Sequence, residues 1–264
     1  MFFPERLHIP SNSCVLEIWP GWSPFYRSDI LFDKFYDNDE ATAQSWWTGV
    51  ISGDKPLIIS SEARLPFKDN AFDYVICSHV LEHVELDEIS HFIDEIKRVS
   101  VRGYIEFPSI FYESLFDFFV HKNILFLHQN VLYVISKEQS KLFNDRFHYK
   151  YSQMRNLLWT DRFFSLWILL YKRFFFIWGE YNQDLRVQFI ESWDDIPNFI
   201  YPESKIDILK DIWNILKFIV IRNLPRKKYI LSKDILECPR CNWKMIISKD
   251  SLLCTHCKAT LELH

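Results

Sequence analysis

The run LPFKDNAFDYVICSHVLEHV, residues 65–84, decides how this chain folds. Within it Phe72-Asp-Tyr-Val-Ile-Cys77 reads as a strand. That hexapeptide is rich in aromatic and β-branched residues, which suit a pleated, buried strand. Three titratable side chains, His79, Glu82 and His83, come directly after the strand's end. From Asp87 to Ser100 the period changes: Ile89, Phe92, Ile93, Ile96 and Val99 fall at helical spacing, with Asp87 at the N-cap position. Gly103 stops that helix, and Tyr104-Ile-Glu-Phe107 reads as the next strand. Strand, helix and strand in this order form one unit of a parallel sheet covered by helices.

Working outward, Cys14–Ile18, Asp29–Asp33 and Pro56–Ser60 read as three earlier strands. Ile110–Val120 reads as a short aromatic helix. Ile124–Leu127 and Val131–Ile135 flank His128-Gln-Asn130 as a hairpin. Five strands plus that hairpin give the strand count of a Rossmann-like seven-stranded α/β sheet. Beyond Lys137 the pattern changes. Phe174–Tyr181 and Leu185–Ile190 flank Asn182-Gln-Asp184 as a second hairpin, and Asp207–Val220 reads as a helix with Ile208, Ile212, Ile215, Leu216 and Ile219 on one face. Pro225 ends it. The expected divisions are a core at 1–136, an aromatic-rich extension or cap at 137–204, a basic helix and linker at 205–233, and a small module at 234–264.

Each strand of the first half ends in residues with chemistry. Val15-Leu-Glu-Ile-Trp-Pro-Gly-Trp-Ser-Pro24 is a strand running into a Gly/Pro turn, where backbone amides can approach a ligand. The second strand ends in Asp33, an acid suited to ribose hydroxyls. The third leads into Ser61-Glu-Ala-Arg64. Together with residues 65–84 and the run RVSVRGYIEFPS, residues 98–109, this ordered set resembles the class I S-adenosylmethionine-dependent methyltransferases, small type 11-like branch, over roughly residues 12–136.

The resemblance implies the following roles. Glu17 would stand near the methionine amino group and Gly21 would let the backbone approach the methionine. Asp33 would bind the ribose, and Ser61 and Glu62 would hold the adenine. Ser78 and His79 would line the cofactor and acceptor cleft. The chain departs from the family pattern at Trp19, where a glycine is usual, and at Ser61, where an acid is usual. An indole at position 19 competes for the methionine's space and calls for a changed backbone. Serine at 61 removes a charge-assisted hydrogen bond to the adenine amine. Because the methyl group arrives activated as a sulfonium, the protein mainly aligns the nucleophile and removes a proton where needed. His83, His79 and Glu106 are the candidate catalytic residues, with Glu82 and His121 nearby. His83 is favoured as base because neutral imidazole works near pH 7. The plainer role for Glu82 and His83 is to cap and orient the following helix.

The second chemical signal is local. Cys238-Pro-Arg-Cys241 and Cys254-Thr-His-Cys257 are separated by twelve residues. Two such knuckles turn four thiolates onto one ion, the pattern of a structural zinc ribbon. A fragment this short cannot build a sufficient core, so metal must supply folding energy. Cys14 and Cys77 lie on strands and read as core thiols.

Composition frames these readings. Of 264 residues 48% are hydrophobic and 25% charged, which excludes a disordered chain. No apolar run reaches the roughly 20 residues of a membrane-spanning helix, and the first ten residues lack the apolar stretch of a secretory signal. Paired C-x-x-C motifs fit a reducing compartment, so a cytoplasmic protein is expected. Charge is uneven: Lys205–Lys233 holds eight Lys/Arg against two Asp. That stretch and the ribbon offer a surface for a nucleic acid or protein partner, or form only a solvated linker face. The expected function is methyl transfer to a small-molecule or glycan-like acceptor. The competing functions are a catalytically degenerate binding module and an RNA- or ribosome-modifying methyltransferase.

Overall fold

The computed structural model describes residues 7, 9–21, 24–34, 55–61, 63–118, 120–140, 166–168, 170–192, 195, 209, 212, 213, 216, 220 and 230–264. Four short apolar strands come first: β1 (Val15–Ile18), β2 (Ile30–Asp33), β3 (Leu57–Ile59) and β4 (Tyr74–Ser78). Helix α1 (Ile89–Val99) crosses to β5 (Gly103–Pro108). Helix α2 (Ile110–Phe116) leads to β6 (Asn123–His128) and β7 (Val131–Ser136). After a helical turn α3 (Lys172–Phe175) come β8 (Phe176–Tyr181) and β9 (Arg186–Phe189), and the C-terminal module holds β10 (Met245–Ser248), β11 (Ser251–Cys254) and β12 (Thr260–Leu263).

The described strands form two sheets. The larger has the order β10-β11-β12-β3-β2-β1-β4-β5-β8. Its centre, β3-β2-β1-β4-β5, is parallel throughout, and β8 runs antiparallel beside β5. Strands buried on both faces read as unbroken apolar runs rather than alternations, and Val15, Leu16 and Ile18 of β1 are all fully buried. One face packs against α1 through Ile89, Ile93, Ile96 and Val99; the other receives Tyr112 and Phe116 of α2 with Phe175 and Phe176. Gly103 is required at the β5–β8 contact. A Cβ there would lie 2.4 Å from the Val75 carbonyl and 2.4 Å from a ring carbon of Tyr181.

Three sequence expectations are corrected. The β6–β7 hairpin does not complete the main sheet; it forms a second sheet with β9, in the order β6-β7-β9. Both of its faces are apolar: Leu125, Leu132 and Val134 join the main core while Ile124, Tyr133 and Ile135 pack with Ile190. A strand pair apolar on both sides is better buried between layers than placed at a sheet edge. Its turn is as expected, with Gln129 and Asn130 at positive φ, the conformation of a tight two-residue hairpin. Second, β8 and β9 are not a hairpin: β8 pairs with β5 and β9 runs parallel to β7, so the turn at 182–185 carries the chain from one sheet to the other. Third, Asp87 does not cap α1. It lies in a turn, and the helix starts after Glu88 without a side-chain cap.

The C-terminal module continues the main sheet. β12 pairs antiparallel with β3, and Leu57 and His264 exchange both backbone hydrogen bonds at 2.8 Å. A bridge between Phe67 and Leu236 adds a second seam. Leu236, Met245, Leu252 and Leu261 share one apolar cluster with Ile58 and Phe67. The module therefore covers the sheet edge that β3 would otherwise expose. Of the expected 207–220 helix, Ile208, Ile215 and Ile219 lie outside the described residues; Leu209, Ile212, Trp213, Leu216 and Val220 are helical and exposed. Among the described residues no helix is long and apolar enough to cross a membrane.

Candidate functional site

The carboxyl ends of β1 to β5 bring most of the sequence-derived site residues to one edge of the sheet, where open α/β sheets bind ligands. Glu17 is buried at the end of β1. Its Oε2 accepts hydrogen bonds from the Phe25 amide at 2.7 Å and the Ser28 hydroxyl at 2.6 Å. Burial pushes its carboxyl above the usual range, and those two bonds with the charge of Lys55 act against that rise. Glu17 thus ties the turn after β1 to the strand.

Trp19 follows with φ +50°, and its amide donates to the Phe32 carbonyl at 2.7 Å. A bulky residue in the left-handed region is an outlier, so the backbone keeps the shape a glycine would give it. The indole lies half-buried, tilted against Phe92 of α1 at a centroid distance of 6.3 Å. Gly21 also has positive φ, +59°, and no described atom lies within 4 Å of the place a Cβ would take. Asp33 ends β2 and accepts the Lys34 amide at 2.7 Å, and Ser61 is exposed just past β3. Glu62 lies outside the described residues.

Across β4 and β5 the site is charged and buried. Ser78 donates to Glu106 Oε1 at 2.8 Å, and Tyr104 donates to Glu106 Oε2 at 2.5 Å. His79, at φ +58°, sets Nδ1 3.1 Å from Glu82 Oε1 and Nε2 3.1 Å from Glu106 Oε1. Burial disfavours the imidazolium, but the two carboxylates outweigh it and raise His79 to about 9. Burial alone would raise Glu106; the positive charge of the chain's amino terminus, then the contacts from His79 and Tyr104, hold it well below the usual carboxylate range. Glu82 is lowered in the same way, against burial, by His79 and by the neighbouring histidines. His83 goes the other way. Burial, resisted by Glu82 and reinforced by His121, pushes it down to about 4, so it is neutral near pH 7 and a weak base.

Sequence reading did not single out Tyr104, Glu113 or Lys137. Glu113 of α2 hydrogen-bonds His121 Nδ1, and Lys137 stands 3.5 Å from Glu113 and 2.8 Å from Asp117. Period-two alternation on β5 places Tyr104 and Glu106 on one face, a signal that was available. The His121–Glu113 contact depends on tertiary folding and left no local signal.

At the far end of the sheet the four cysteines converge. Cys238 Sγ lies 3.5 Å from Cys257 Sγ, and Cys241 Sγ lies 3.5 Å from Cys254 Sγ. Tetrahedral zinc with Zn–S bonds of about 2.3 Å sets sulfurs about 3.8 Å apart, so the cluster fits that ion with small adjustment. Burial opposes the Cys254 thiolate, but the amides of Cys257 and His256, each 3.4 Å from its sulfur, bring it down to about 6. The cluster fits a small zinc ribbon, as the spacing led us to expect.

Residues 40–105 match a family described as a methyltransferase domain. Over that stretch, about a quarter of its length, this chain is similar to that methyltransferase family. Solved structures similar to it include a Pyrococcus horikoshii protein at 21% identity, covering 39% of this chain and 52% of that one with a TM-score of 0.29. A Methanosarcina mazei SAM-dependent methyltransferase is 17% identical over 46% of this chain and 69% of its own, TM-score 0.30. Haemonchus contortus phosphoethanolamine N-methyltransferase 1, in complex with phosphoethanolamine and S-adenosylhomocysteine, is 16% identical over 40% and 25%, TM-score 0.28. The chain spans about half the length of the first of these structures. No curated protein matches the sequence.

Proposed function

We propose that the methyltransferase domain moves the methyl group of S-adenosylmethionine to a small-molecule or glycan-like acceptor, and that the ribbon holds a structural Zn²⁺. The observation that carries this reading is the parallel order β3-β2-β1-β4-β5 with Gly21 and Asp33 at the ends of its first two strands. In this reading the cofactor lies along the ends of β1 to β3, with Glu17 shaping the first turn, Gly21 giving close backbone approach, Asp33 binding ribose, and Ser61 and Glu62 beside the adenine. Ser78, His79 and Glu106 face the acceptor. The proposed divisions are a cofactor-binding core at 1–136, an aromatic-rich extension or cap at 137–204, a basic helix and linker at 205–233 and the ribbon at 234–264.

The chemistry asks little covalent work of the protein. A lone pair on the acceptor forms the new bond to the methyl carbon. The carbon–sulfur bond breaks and its electrons neutralise the sulfonium, leaving S-adenosylhomocysteine. The proton on the acceptor leaves to solvent or to a base. Alignment supplies most of the acceleration. Titration calorimetry with S-adenosylhomocysteine tests the reading: saturable binding is expected, and no heat at millimolar ligand would defeat it.

A second reading, a methyltransferase fold serving as a binding platform without cofactor, draws support from Trp19 and Ser61. Trp19→Gly separates the two. A variant that binds S-adenosylhomocysteine while the natural chain does not would establish the platform. Salt-sensitive RNA binding lost on truncation after Glu203 would instead place RNA as the substrate.

A further inference from the structure

A second cluster of metal-ligating side chains lies well away from the cysteines. Glu82 and His83 stand in the turn after β4, and His121 precedes β6. One donor atom from each lies within 4.8 Å of the others. The strand-end turn is tied to the β6 approach by backbone bonds from Lys122 and Asn123 to the Glu82 carbonyl. The two imidazole rings meet nearly at right angles, 82°, with centroids 4.8 Å apart.

The hydrogen bonds around these residues fix which atoms remain for a ligand. His83 Nδ1 lies 3.2 Å from the Val120 carbonyl, which can only accept, so Nδ1 carries the proton and Nε2 the lone pair. His121 Nδ1 bonds the Glu113 carboxylate, which leaves its Nε2 in the same state. Metal-bound histidines commonly hold their second nitrogen in this way, one on a backbone carbonyl and the other on a carboxylate. Glu82 is 1% exposed; its Oε1 faces His79, while its Oε2 has no hydrogen-bond partner among the described residues. A buried carboxylate oxygen without a partner is costly unless something occupies its front.

We propose that Glu82, His83 and His121 bind one divalent first-row transition-metal cation, with Glu113 as the positioning residue behind His121. Two imidazole nitrogens and one carboxylate oxygen suit such ions, and three protein donors leave a coordination position open. Bond lengths near 2.1 Å would draw the three donors closer by side-chain rotation. Glu82 and His83 stand in the turn after β4, and an oxygen of the acceptor could enter the open position; this last assignment, unlike metal binding itself, rests on the proposed methyl transfer.

Co²⁺ tests the site on the full chain isolated with zinc in its ribbon. Metal analysis should find one Co²⁺ per chain beyond the zinc, with ligand-field absorption and no thiolate-to-cobalt charge-transfer band. Glu82→Gln and His121→Gln should abolish that second equivalent while the ribbon keeps its zinc and circular dichroism is unchanged. Glu113→Gln, which removes no donor, should weaken Co²⁺ binding 10–100-fold. No Co²⁺ beyond the zinc, cobalt appearing only with charge-transfer absorption, or unchanged affinity in Glu113→Gln and His121→Gln would each overturn the proposal. S-adenosylhomocysteine titration of the same samples reports separately on the methyl-transfer reading.

Discussion

The ribbon and the parallel centre share one hydrogen-bonded sheet but are held by different forces. The centre is stabilised by burial: β1, β4 and β5 sit between two apolar layers, and their side chains are almost entirely shielded. The ribbon's strands are half-exposed, with Ile246 and Ile247 of β10 each 42% exposed. Burial that incomplete does not fold a 31-residue module, so the four cysteines must carry most of the load. What joins the two is the β12–β3 seam and the segment 65–69 that faces it. Removing metal and disturbing the core should therefore damage different parts of one sheet.

The largest effect should come from the ribbon's ligands. Cys254→Ser should lose zinc and unfold residues 238–264, since structural zinc contributes on the order of 10 kcal/mol in small modules. Hydrogen exchange should show the amides of Leu57–Ile59 losing protection while those of β4 keep theirs; loss across β4 as well would mean the two regions are one cooperative unit. Next is Gly103→Ala, which drives a Cβ into the Val75 carbonyl and should destabilise the centre by roughly 3–5 kcal/mol. Chemical denaturation of a sample that keeps its zinc would measure it, and a loss below about 1 kcal/mol would contradict the packing described.

A smaller effect belongs to the seam. Glu95 accepts the Leu65 amide at 2.8 Å and two bonds from Arg98, each 2.7 Å, and Arg98 also donates to the Leu65 and Phe67 carbonyls. Burial works against the Glu95 carboxylate, but Arg98 and the Leu65 amide hold its pKa below the ordinary 4.5. Its contribution is thus present above about 4.5 and lost as pH falls through the lower folded value. Glu95→Gln should reduce stability by roughly 2 kcal/mol at pH 7, with the gap to the natural chain narrowing below pH 4. A gap that widens in acid would reverse the sign of this account. The smallest effect is expected for Trp19→Gly, where relief of about 1 kcal/mol of left-handed strain opposes the loss of packing on Phe92. Its stability should change by less than about 1 kcal/mol.

The two metal-competent clusters show how much the sequence could reveal. The cysteine knuckles are legible because each pair of ligands is three residues apart and the chain between them only turns back once. Glu82 and His83 are adjacent, yet their partner His121 arrives from beyond α1, β5 and α2, and no spacing announces it. The five parallel strands were legible for the same local reason: each is a short apolar run closed by a turn. The β6–β7 hairpin was legible as a hairpin but not by its place, because residues apolar on both faces fit either a sheet edge or an inter-layer position. At Trp19 the sequence suggested a changed backbone, whereas the structure keeps the glycine-like turn and swings the indole toward α1.

The central claim is that the edge formed by β1, β2 and β3 binds an adenosyl cofactor. Amide resonances of Gly21, Asp33 and Ser61, followed while S-adenosylhomocysteine is added, test it most directly. The account predicts saturable shifts at all three, with the ribbon's Lys249 and Asp250 unmoved. Shifts absent from those three positions at millimolar ligand would contradict it.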